Sequence, residues 1–135
     1  MYKNILVPIA LDHERDTATA LDVARCLASA GGKITALKVI EEVPAYVASY
    51  LPEGHGEALL DEVRTELRAE LGGVQDVQPV VVTGHAGQRI VDYAQAYEVD
   101  CIVIASHRPG LQDYLIGSTA GRVVRHATCA VHVIR

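Results

Sequence analysis

The residues best suited to chemistry lie between Cys101 and Ser118, in the stretch CIVIASHRPGLQDYLIGS. Cys101-Ile102-Val103-Ile104-Ala105 is an apolar run that reads as a buried strand. Polar and basic residues follow it, then a Pro-Gly turn and a Gly117-Ser118-Thr119 step into a helical pattern. Strand, loop and helix start together make an anion cradle. The first N–H groups of a helix have no intrahelical partner and carry about half a positive charge, so a phosphate sits there favourably. Gly117, Ser118 and Thr119 are small enough to let phosphate oxygens approach that backbone, the two hydroxyls can donate, and Arg108 adds a fixed positive charge. Gly-Ser at a helix start is also the signature of an ordinary cap, Ser being a favoured N-cap residue worth about 1 kcal/mol. The preceding strand and loop favour the anion reading.

Machinery for turning over a bound phosphate is not evident. No Gly-Lys-Ser/Thr follows a Gly-x4 spacer, so the lysine that would stabilise a transferring γ-phosphate is missing. No G-x-G-x-x-G follows the first strand, which weakens a dinucleotide reading. No Ser, His and acid form a nucleophile elbow, and His126 and His132 lack a metal-ligating partner at helical spacing. They read as a helix-end residue and a strand residue.

The remaining chain must supply the scaffold for this loop. Its 135 residues amount to one domain, 1–135, able to bury about two-thirds of its unfolded surface. Half of the composition is hydrophobic, yet there is no Phe or Trp, so the core must be Val, Ile, Leu and Ala, as suits a parallel sheet under Ala-rich helices. A net charge of −5 argues against a general nucleic-acid binder or a protein held on acidic lipid. Apolar runs fall far short of the ~20 residues that a membrane-spanning helix needs. Met1-Tyr2-Lys3-Asn4 leads straight into a strand without a secretion signal, so the expected location is the cytoplasm. Cys26, Cys101 and Cys129 stand singly in apolar patterns and are expected as buried, reduced thiols.

In chain order, Ile5-Leu6-Val7-Pro8-Ile9-Ala10 is strand one, stopped by Pro8. After a polar loop, Ala18, Leu21, Ala24, Leu27 and Ala28 recur at helical steps up to Gly31-Gly32, which are expected to stop the helix. Residues 33–40 read as strand two. Residues 41–56 form a Pro-, Tyr- and Gly-rich loop that reads equally as a flap near the ligand or as a surface arm for a partner. Leu60, Val63, Leu67 and Leu71 stripe a second helix ended by Gly72-Gly73, and residues 77–83 are strand three. Pro79 places that strand at a sheet edge. A third helix carries Ile90, Tyr93, Ala94 and Tyr97, a fourth runs from about Ser118 to His126, and residues 130–134 are strand five. The alternation predicts an α/β fold with a single doubly wound, five-stranded parallel sheet and four helices, its ligand crevice at the carboxyl ends of strands where their order reverses.

Several of these residues together resemble the universal stress protein family, in particular the branch with an ASHRP loop. They are Ser106-His107-Arg108-Pro109, Tyr114-Leu115, Gly117-Ser118, Val123-Val124-Arg125-His126-Ala127 and, at the other end of the chain, Ile5-Leu6-Val7-Pro8. The usual family loop is Gly, two residues, Gly, nine residues, Gly and Ser or Thr. Here Ala105 and Arg108 stand at the first two glycines, with one residue fewer before Gly117, so the loop must follow a different path. The resemblance implies strand order 3-2-1-4-5, with the reversal between strands one and four. It implies adenine and ribose contacts at Pro8, Ile9, Ala10, Val39, Ile104 and Ala105, with Val39 acting through its backbone. Phosphate contacts would fall along the loop from Ser106, at His107, Arg108, Gly117, Ser118 and Thr119. Many members carry Asp where this chain has Ala10, which puts ribose or magnesium binding in question more than adenine binding; Asp12 could reach the same ligand group. The H-x-G-H of the related nucleotidyltransferases does not occur.

The function so implied is a nucleotide-responsive stress regulator that binds ATP, or AMP or ADP, with or without magnesium. Pairing in the family often uses the last strand, and Ala130-Val131-His132-Val133-Ile134 is an apolar edge suited to a homodimer. Two other readings stay open. One is an ATP hydrolase or a phosphoryl- or adenylyl-transfer enzyme using Arg108. The other is a nucleotide-independent interaction module using the 41–56 loop, the last strand and a protein partner.

Overall fold

The computed structural model describes residues 1–9, 14–42, 44–106 and 116–135. Ten elements follow in order: β1 (Tyr2–Pro8), α1 (Glu14–Leu27), β2 (Ala28–Ile40), α2 (Ala45–Ala48), α3 (His55–Glu70), β3 (Val77–Thr83), α4 (Ala86–Ala96), β4 (Cys101–Ala105), α5 (Ser118–His126) and β5 (Ala130–Ile134). All strands pair in parallel, in the order β3-β2-β1-β4-β5. The four long helices match expectation, and α2 adds a single turn inside the 41–56 segment.

Side chains alternate across each strand, and the sheet therefore owns two cores. On one face Ile5, Val7, Ile34, Ala36, Val81, Cys101 and Val103 meet Ala20, Leu21 and Ala24 of α1 and Val63 and Leu67 of α3. On the other, Leu6, Leu37, Val39, Ile102 and Ile104 meet Ile90, Tyr93 and Ala94 of α4 and Ala120 and Val123 of α5. Central strands covered on both sides must be apolar throughout, which is why Cys101 to Ile104 read as a continuous run. At the edge, β3 pairs only with β2, and there Pro79 lies opposite Ala36 without breaking a second ladder. Among the described residues no helix is long and apolar enough to cross a membrane.

The glycine pair at 31–32 does something other than stop a helix. Helix α1 ends at Leu27, and β2 begins at Ala28 rather than at Lys33. Tyr2 pairs with Ala28 and Asn4 with Lys33, so a bulge in β2 takes up the surplus residues. Within it Gly31 has φ +76°, and a Cβ on Gly32 would lie 2.9 Å from Ser29 O and 3.1 Å from Tyr2 O. The left-handed backbone favours glycine at 31, and the close approach of two backbone oxygens requires it at 32. Ala28 is a strand residue, and exposed Ala18 yields its place on the helix's covered face to Ala20.

Cys26 also departs from expectation: it is exposed, because the covered face of α1 is already filled by Ala20, Leu21 and Ala24. Cys101 is buried, Cys129 is half-buried, and all three are free thiols. Cys101 belongs to the α1/α3 core whereas Cys129 packs against the α4/α5 core. Burial pushes the Cys101 thiol up to about 11.

Two loops tie the scaffold together. The Asp100 carboxylate accepts the Lys3 and Asn4 N–H groups at 2.9 and 3.0 Å, and Asn4 Nδ2 donates to Tyr97 O at 2.8 Å, fixing the start of β1 to the start of β4. At the opposite end of the sheet, Glu41 Oε1 accepts the Ala86 N–H at 3.2 Å, joining the end of β2 to the first turn of α4.

Candidate functional site

The crevice arises from the way two central strands part. β1 and β4 pair only at Ile5–Cys101 and Leu6–Ile102. Beyond that point β1 stays with β2: Pro8 pairs with Leu37, and Ile9 N donates to Leu37 O at 2.8 Å. β4 stays with β5: Ala105 pairs with Ile134, and Ser106 N donates to Ile134 O at 2.8 Å. Each strand keeps its outer partner and loses its inner one, which opens a gap at the carboxyl ends between Pro8-Ile9 and Ile104-Ala105-Ser106. The topology brings these five residues together. Val39 sits one strand over on β2, opposite Val82, with its side chain in the α4/α5 core. Only its backbone remains to face a ligand at that edge.

Gly117, Ser118 and Thr119 join them at the start of α5. Gly117 is the N-cap, with no side-chain cap hydrogen bond, and its carbonyl accepts the Gly121 N–H at 2.8 Å. Ser118 is exposed in the first turn, so the ordinary serine-cap reading does not describe this helix. The Gly117 N–H instead donates to Ser106 Oγ at 3.0 Å, across eleven positions of chain. That bond sets the helix start against the end of β4, a positioning role for Ser106 whose signal in the sequence is only a small hydroxyl residue just after the strand. No acidic residue lies in the first turn, whereas Arg125 and His126 occupy the last. The charge distribution therefore leaves the positive end of the helix dipole unneutralised by its own side chains.

Gly117 has φ −58°, and among the described residues a Cβ there would meet nothing nearer than Ser106 Oγ at 3.8 Å and Ser106 O at 3.9 Å. Neither backbone conformation nor packing demands glycine. Glycine leaves the first-turn amides without a side chain of its own beside them, as suits the approach of an oxyanion. Ala10, Asp12, His107 and Arg108 lie outside the described residues.

Pro8, Ile9, Val39, Ile104, Ala105, Ser106, Gly117, Ser118 and Thr119 include no side chain that ionises near neutral pH. Backbone amides and hydroxyls can hold and orient an anion, but they do not exchange protons with it readily. Among the described residues no group of three His, Cys, Asp or Glu side chains is placed to hold a metal ion.

The sequence model of the universal stress protein family matches residues 1–135. The chain belongs to the universal stress protein family. Among its relatives, universal stress protein A homolog 2 of Coxiella burnetii is 31% identical over 141 residues, covering 99% of this chain and 95% of that protein. Among solved structures, that of the hypothetical protein MJ0577 is 26% identical and superposes with a TM-score of 0.77, covering 99% of this chain and 96% of the other. A universal stress protein in complex with cAMP shares the fold at 22% identity and a TM-score of 0.62, over 99% of this chain and 97% of the other.

Proposed function

We propose that this universal stress protein binds an adenine nucleotide in the crevice and responds to its occupancy as a stress regulator. The observation that carries this is the parting of β1 and β4 directly beside an α5 N-terminus that no side chain caps. A phosphate there receives the first-turn amides, which water would otherwise solvate, and the Ser118 and Thr119 hydroxyls. Ser106 already accepts from Gly117, and a hydroxyl in that role keeps a hydrogen with which to donate to a ligand oxygen. The base then lies toward Pro8, Ile9 and the Val39 backbone, with Ile104 and Ala105 beneath the sugar. In this reading Ala10, Asp12, His107 and Arg108 complete the site, Arg108 as a phosphate partner. The relative crystallised with cAMP supports the adenine class. ATP, AMP and ADP are the physiological candidates, with magnesium accompanying the polyphosphates.

The site side chains among the described residues are neutral, which favours holding over hydrolysis. We assign an assembly role to β5, whose outer edge pairs with no strand among the described residues and carries half-buried Val131, Val133 and Ile134. A second copy could cover it, giving a homodimer. Thermal melting with ATP, AMP and cAMP tests the binding reading. A nucleotide should raise the Tm of the wild type, and Gly117→Asp, which puts a carboxylate over the amides, should abolish the rise. An unchanged wild-type melting curve at millimolar concentrations of all three would refute it.

A further inference from the structure

A second cavity, of about 350 Å³, opens beneath the 44–56 segment, at the carboxyl ends of β2 and β3. No described residue of β1, β4 or α5 lines it, so it is separate from the crevice. Its apolar lining is Ile40, Leu59 and Leu60 together with Ala48 and Leu51 of the overlying segment. Ile40, Leu51, Leu59 and Leu60 are each only half-buried, although a leucine at the start of an amphipathic helix is ordinarily covered. The volume lies within the usual range for small-molecule sites, about 300–1,000 Å³, which are mostly apolar with a few polar groups at the mouth.

The mouth selects the charge of the occupant. Glu41, Glu42 and His55 line it. Glu41 is committed to the Ala86 N–H, whereas Glu42 makes no hydrogen bond or ion pair to a described residue. Residues 39–60 contain Glu41, Glu42, Glu53 and Glu57 but no lysine or arginine. An apolar lining under an uncompensated acidic rim matches a molecule with an apolar body and a cationic head.

We infer that this cavity is a binding site for a small molecule with an apolar body and a primary amine, for which phenethylamine serves as the probe. The inference does not depend on the nucleotide reading, and its test uses no nucleotide. Phenethylamine is titrated into the full chain against 3-phenylpropanoate, an anion of similar size, while the methyl resonances of Ile40, Leu51, Leu59 and Leu60 are followed by NMR. Saturable shifts with the amine are expected, with the carboxylate about tenfold weaker, the scale of one favourable surface charge contact exchanged for a repulsive one. Glu42→Gln should weaken the amine severalfold and leave the lining intact. Ala48→Leu fills the cavity from an exposed position without disturbing either core, so it should eliminate the shifts while preserving the melting temperature. Absent saturation at millimolar amine, equal affinity for the anion, or binding indifferent to both substitutions would each overturn the assignment.

Discussion

Ser106 Oγ accepts the Gly117 N–H at 3.0 Å, and this single bond joins the end of β4 to the beginning of α5. It is partly buried and spans the loop carrying His107 and Arg108. Ser106→Ala leaves the Gly117 amide without this acceptor, and an unmade bond of this kind costs about 1 kcal/mol. The expected result is a Tm lowered by a few degrees together with a smaller nucleotide-induced rise. Melting curves with and without ATP measure both; a rise equal to wild type would deny Ser106 its positioning role.

Gly117→Ala separates the needs of the fold from those of the ligand. The local φ of −58° suits alanine, and the added methyl meets only ordinary van der Waals distances. The unliganded protein should therefore match or exceed wild-type stability by up to about 1 kcal/mol, since alanine restricts the unfolded chain. Nucleotide affinity should fall, as read by calorimetric titration.

Gly32→Ala should behave in the opposite way. Its methyl would press on Ser29 O and Tyr2 O, both backbone atoms that cannot swing aside. The expected loss is about 1–3 kcal/mol in denaturant unfolding, the range for overpacking. A change below a few tenths would show that the β2 bulge adjusts freely.

Thiol chemistry should rank the cysteines by environment. Exposed Cys26 should react promptly with a thiol reagent at neutral pH. Cys101 is buried and its thiol lies up at about 11, so it should label only when the protein unfolds. Mass spectrometry of native and urea-unfolded samples distinguishes the two.

The Arg25–Asp76 pair, at 2.7 Å, should give a small acid-dependent effect. The hydrogen bond from Arg25 lowers the Asp76 carboxyl below its ordinary value. Stability from a depressed carboxyl is present above its unfolded value, near 3.8, and is lost as pH falls through the lower folded value. Because both partners are substantially exposed, the contribution is at most about 0.5 kcal/mol and should shrink in high salt. Comparing wild type with Asp76→Ala at neutral and strongly acidic pH should show a gap that closes in acid.

The alternation of strands and helices, the edge position signalled by Pro79 and the α5 start at Ser118 were legible because each rests on a local rule: apolar periodicity, ladder geometry or helix onset; the strand order came from the family resemblance alone. The Gly31-Gly32 pair misled because glycines that end a helix and glycines that permit a bulge look alike. Only the pairing of Tyr2 with Ala28 and Asn4 with Lys33 tells them apart. Cys26 was misplaced for a related reason: an apolar pattern shows which residues can be covered, and tertiary packing chooses among them. The Ser106–Gly117 bond was invisible because a hydroxyl's partner eleven positions away depends on the loop's path. Nor does any sequence period reveal the cavity under residues 44–56, which exists only where the ends of β2 and β3 meet α2 and α3.

Because β1 and β4 share just the Ile5–Cys101 and Leu6–Ile102 register pairs, the sheet is two ribbons, three strands wide and two strands wide, stitched along a short seam. Whatever occupies the notch above that seam touches both ribbons and acts as a further stitch. Amide exchange along Val7 to Ile9 and Val103 to Ser106 would then slow in concert on either side, converting the presence of a small solute into rigidity of the whole sheet.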